Sequence, residues 1–130
     1  VFLIVQVLAV SFLAILFLQS GFDKVVDKKG NLDWLSSHFA NSPFKNSVPV
    51  LFFTITVVEL LSGVLNLVGG VFLLYNGSVS IALYGTILSS VALIMLFLGQ
   101  RIAKDYAGAQ SLVSYFILTI LTLLVFGYTL

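Results

Sequence analysis

Glu59 stands alone in an apolar run from Val48 to Tyr75, whereas the other ten of the chain's eleven charged side chains lie in two polar stretches. A charged residue near the centre of a hydrocarbon layer costs about 2.5–3.5 kcal/mol on insertion scales, so this carboxyl needs a partner, a proton or a purpose. Ser62, Gly63, Asn66 and Gly70 share its helix face by i+3, i+4 and i+7 spacing. Such a face belongs inside a bundle, where hydroxyls and an amide solvate the carboxyl and Gly63 leaves space beside it. Two kinds of chemistry fit. In one, Glu59 is protonated by desolvation or paired with a cation such as Lys24 or Arg101, and it fixes helix register. In the other, it binds a ligand headgroup or relays a proton at the bundle mouth.

Other chemistries are excluded by composition. The chain has no cysteine, which removes disulfides, thiol redox centres and iron–sulfur clusters, and its single histidine, His38, builds no metal site alone. No nucleophile–base pair and no glycine-rich phosphate loop can be assembled, so catalysis by this chain on its own is not expected. A formal charge of +1 without a basic stripe gives no basis for nucleic-acid binding. Redox chemistry would have to come from a non-covalently bound organic cofactor or another subunit.

At 60% hydrophobic and 8% charged residues, the chain cannot hide its apolar surface within a soluble domain. Its 130 residues accommodate about four spanning helices in one transmembrane domain. The expected fold is an all-α integral membrane four-helix bundle, with spans at about 1–20, 48–75, 78–98 and 107–130. The first apolar stretch lacks the basic start of a secretory signal peptide, and it opens on Val1 without a methionine, so further residues are expected before it. Between the first two spans, Leu32, Leu35 and Phe39 recur at helical spacing with Trp34 and His38 beside them. This reads as a short amphipathic interfacial helix, with His38 as a polar surface residue and Gly30-Asn31 as a turn. Ser47 is placed to cap the second span, Gly69-Gly70 to bend it, and Asn76-Gly77 to link it tightly to the third. Ser78, Ala82, Thr86 and Ser90 repeat every four residues, a small-residue stripe expected to be the packing face of the third span.

The segment Phe17-Leu18-Gln19-Ser20-Gly21-Phe22-Asp23-Lys24, the spacing Glu59-Leu60-Leu61-Ser62-Gly63 and the stretch from Gln100 through Arg101, Lys104 and Asp105 to Gly108 resemble the DoxX family of small bacterial membrane proteins. The likeness follows chain order across most of the sequence. It implies a four-helix bundle in the bacterial cytoplasmic membrane, associated with redox systems that include the DoxX-like and DoxD-like subunits of thiosulfate:quinone oxidoreductase. Gly21, Lys24, Glu59, Gly63, Arg101, Asp105 and Gly108 are the positions it marks. Glu59, Lys24, Arg101, Asn66 and Asp105 are accordingly the expected polar cluster, and Gly21, Gly63 and Gly108 the expected packing sites.

All six basic residues fall in the first and last loops, which alone would place those loops in the cytoplasm and both termini outside. The leading expectation is an accessory or quinone-associated subunit, with the lipid bilayer and other membrane subunits as partners. Its rivals are a purely structural subunit and a small transporter.

Overall fold

The computed structural model describes residues 1–129, all helical apart from short connections. Helix α1 (Phe2–Val26) leads into the surface helix α2 (Lys28–His38). A single 3-10 turn (Lys45–Ser47) precedes α3 (Val48–Asn76), followed by α4 (Ser80–Ile102), the short α5 (Tyr106–Ser111) and α6 (Val113–Thr129). Four segments, Phe2–Val26, Lys45–Asn76, Ser80–Ile102 and Tyr106–Thr129, are long and apolar enough to cross a membrane. This is the pattern of a multi-pass membrane protein.

Several local expectations are corrected. Helix α1 continues past its apolar stretch to Val26, which carries Lys24 into its last turn, where a cation favours the helix dipole. Gly30-Asn31 is not a turn but lies within α2; the Asn31 amide donates to the Asp27 carbonyl at 2.8 Å, satisfying backbone at the α1–α2 junction. Ser47 precedes α3 without a capping hydrogen bond from its side chain. Ser78 falls before α4 and serves the turn, its N–H donating to Asn76 Oδ1 at 2.9 Å. Gly77 ends α3 in the left-handed region at φ 72°, where glycine carries no Cβ penalty. The link after α4 uses the same device with a worse residue. Lys104 sits at φ 62°, and the N–H groups of Lys104 and Asp105 donate to the carbonyls of Arg101 and Gln100, a Schellman closure.

Helices α1, α3, α4 and α6 form a closed bundle in which α3 packs against both α1 and α4, and α6 against α4 and α1. Gln6 Nε2 donates to Thr129 Oγ1 at 2.8 Å, tying the start of α1 to the end of α6. One core cluster gathers Leu13, Phe17, Ile55, Ala92 and Leu93, and a second Val10, Leu73, Ala82 and Phe126. In lipid, burial of apolar surface between helices gains little, so close backbone approach and interhelical hydrogen bonds carry the packing. Glycines set that approach. A Cβ on Gly69 would lie 2.5 Å from the backbone of Ala82, on Gly63 2.8 Å from the Leu18 nitrogen, and on Gly21 2.6 Å from the Leu60 side chain. Helix α3 runs without interruption through Gly69-Gly70, and Gly69 serves contact with α4.

Gly69→Ala should lower the thermal unfolding midpoint in detergent, with a loss of about 1–3 kcal/mol as α3 and α4 are forced apart. Gly127→Ala, where nothing lies within 4 Å of the added methyl, should leave that midpoint unchanged or slightly raised.

Candidate functional site

The α1–α3 contact positions the site. Leu18 opposes Gly63, and Leu60 opposes Gly21, so the two helices run antiparallel at close range. Lys24, one turn beyond Gly21, is thereby brought against Glu59. Its Nζ lies 2.9 Å from Glu59 Oε1 and also donates to Ser20 Oγ, one turn back on α1, at 2.9 Å. The Glu59 side chain is 1% exposed and that of Lys24 16%, so the carboxylate is removed from solvent and the lysine is partly buried beside it. The Lys24–Glu59 contact is a close charge pair rather than an aligned hydrogen bond, because Oε1 meets no donor at bonding angles among the described residues. Glu59 lies three residues from Ser62, the midpoint of α3.

Asn66 does not join this pair. It sits deeper, with Ser62 and Ser89, where its amide donates to the Ser62 carbonyl at 2.8 Å and to Ser89 Oγ at 2.9 Å, and the two serine hydroxyls meet at 2.6 Å. Ser62, Asn66 and Ser89 are fully buried and bind α3 to α4. Ala82, Thr86 and Ser90 are buried along the same helix. The sequence reading missed Ser89 and Gly85, whose carbonyl accepts from Asn66 at 3.3 Å. Both lie on the face of α4 next to the small-residue stripe, so the helical period carried the signal and the stripe was drawn too narrowly.

Arg101 and Asp105 also lie away from Glu59. Arg101 is exposed, its guanidinium 4.5 Å from the centre of the Tyr106 ring. Asp105 caps α5, its Oδ1 accepting from Gly108 N at 2.9 Å. Gly108 is therefore a capping partner: a Cβ there would fall 2.6 Å from Asp105 Oδ2 and 2.9 Å from Gln100 Nε2. Asp105 belongs to a second polar group that the sequence did not reveal. His38 Nε2 is 2.6 Å from Gln100 Oε1 and 3.6 Å from Asp105 Oδ2, and the Trp34 ring stacks on the imidazole at 4.4 Å. Since an amide oxygen only accepts, Nε2 carries the proton in the Gln100 contact. The Trp34–His38 spacing placed both on one face of α2, but nothing local foretells a bond across 62 residues.

A cavity of about 420 Å³ lies between α2 and the adjoining ends of α3 and α4, within the usual range for small-molecule sites. Lys24, Asn31, His38 and Gln100 supply its polar groups, and Phe39, Phe44, Phe52 and Met95 are among its apolar walls. No family model, curated protein or solved structure matches the chain. The site's chemistry rests on its own geometry: a buried ion pair at one wall, a histidine–amide–carboxylate group at another, and apolar surface between them. Among the described residues no group of three or more His, Cys, Asp or Glu is placed to hold a metal ion.

Lys24→Met should destabilise the protein by about 3–5 kcal/mol, because it leaves the buried Glu59 carboxylate uncompensated. Glu59→Gln should cost less, since the long Lys24 stem can turn its ammonium toward the interface. The Lys24→Met/Glu59→Gln double variant should recover part of the loss, as read by thermal unfolding in one detergent.

Proposed function

We propose that this chain is a DoxX-like accessory subunit, quinone-associated, of a redox assembly in the bacterial cytoplasmic membrane. The observation that carries the reading is the Lys24–Glu59 pair beside an amphipathic cavity that Lys24 also lines. A buried charge pair is weak as a source of stability, because desolvation offsets most of its attraction, whereas intramembrane ionisable residues commonly mark ligand or proton pathways. The cavity adds hydrogen-bond donors at the rim of an apolar space, a suitable environment for the ring of a membrane-borne cofactor. The reaction belongs to the assembly in this reading, and the subunit's part is to hold and orient the ligand.

A purely structural role has its own support in the Ser62–Asn66–Ser89 network, which binds α3 to α4 without touching the cavity. The large exposed face of α6, with Ile117, Leu121 and Leu124 all more than half exposed, suits lipid or a neighbouring subunit. The transporter reading finds less support, because the centre of the α3–α4 contact is filled by that same network.

Purification in mild detergent, followed by solvent extraction and chromatography, should recover quinone or a redox partner with the wild-type protein. Glu59→Gln should lower that yield several-fold. Unchanged ligand content and assembly activity, together with a lower unfolding temperature, would defeat the proposal in favour of the structural role.

A further inference from the structure

We infer that the cavity under α2 is the ligand site, and that it takes an uncharged amphiphile whose compact ring carries hydrogen-bond-accepting oxygens. This rests on the quinone-associated reading and gives it a place and a chemical selectivity. Charge balance is the first argument. Lys24 is the one formally charged side chain in the cavity lining among the described residues, and Glu59 already stands 2.9 Å from it. His38, the other basic side chain in the lining, has the Asp105 carboxylate at 3.6 Å. Each basic group therefore has its own carboxylate. An anionic headgroup would add a net negative charge beside groups that are already balanced in a mostly apolar lining, whereas a neutral acceptor takes a hydrogen bond without disturbing either pair.

The second argument is the placement of donors. The Lys24 ammonium has three N–H groups, of which one donates to Ser20 and one faces Glu59, leaving one for a ligand oxygen. Gln100 adds an amide to the lining, whereas the Asn31 amide is already committed to Asp23 and Asp27. The third argument is shape. Phe39, Phe44 and Phe52 offer aromatic faces and edges to a planar ring. Leu98 lines the same cavity while being 53% exposed on α4, so the wall opens at the lipid-facing surface, where an apolar tail can leave.

Trp34 is the chain's single tryptophan and lines the cavity, which makes its fluorescence a local reporter. The full chain in phosphatidylcholine nanodiscs would be titrated with decylubiquinone, with duroquinone and laurate as competitors. A Trp34→Phe/Ile120→Trp variant, with its reporter on the exposed face of α6, reads partitioning alone. Quenching of Trp34 should saturate while quenching of the α6 reporter rises linearly. Duroquinone should displace the bound quinone at concentrations at least tenfold below those at which laurate does so. Met95→Phe, which fills the cavity, and Leu98→Phe at its rim should each weaken the saturable phase at least tenfold without changing the far-UV circular dichroism. Linear quenching of Trp34, or saturation that survives both substitutions in folded protein, overturns the site; equal competition by laurate overturns the preference for neutral ligands. The two readings fail separately. Quinone copurifying with the assembly but giving no saturable quenching sinks the cavity placement alone, whereas saturable quenching without copurified quinone or partner sinks the assembly role and upholds the site.

Discussion

The Lys24–Glu59 pair constrains everything around it. At 2.9 Å and an effective dielectric of about 20, the attraction between two unit charges is about 6 kcal/mol, which the desolvation of both ions, at several kcal/mol for a fully buried one, largely offsets. The pair is therefore near break-even as a whole and expensive to break. Keeping it closed requires the last turn of α1 and the middle of α3 to stay in one register. The small residues between those helices hold that register, because Gly63 faces the Leu18 backbone at a distance that admits no side chain and Gly21 makes room for the Leu60 side chain.

The polar groups are arranged by depth. The Ser62–Asn66–Ser89 network is fully buried and joins α3 to α4, the Lys24–Glu59 pair lies one turn nearer the charged side, and His38, Gln100 and Asp105 sit at that surface. The three sets do different work. The innermost pairs its own hydroxyls and amide protons and leaves Asn66 Oδ1 without a donor among the described residues. The middle one balances charge but leaves an ammonium proton without a protein partner. The outermost ties α2 and the α4–α5 link together and so closes a roof over the cavity.

Because α2 is part of that roof, the surface segment matters as much as the spans. It has no fully buried residue within its bounds and shares only a narrow contact with α1 and α3. Its position depends on the His38 contacts and on the burial of Phe39 just beyond its end. A helix held by a few contacts opens more readily than one packed along its length. In this structure that helix, with Phe39 and Phe44 just beyond it, covers the side of the cavity that does not belong to a spanning helix.

The sequence by itself determined the class and the plan: four apolar spans, a surface helix after the first, ten charges grouped at one side and one acid left among the spans. It also placed Glu59, Ser62, Gly63 and Asn66 on one helix face and marked Lys24 as a partner, because helical period and the cost of a buried charge are both local facts. Only the tertiary structure decided which cation meets Glu59, that Asn66 serves the α3–α4 contact instead, that Arg101 stacks on Tyr106, and that His38 reaches Gln100 and Asp105. The physical reason is the same in each case. Helical period fixes which residues share a face, whereas the facing helix, its register and its depth are set by steric fit at a few glycines, and those distances are written in no single segment.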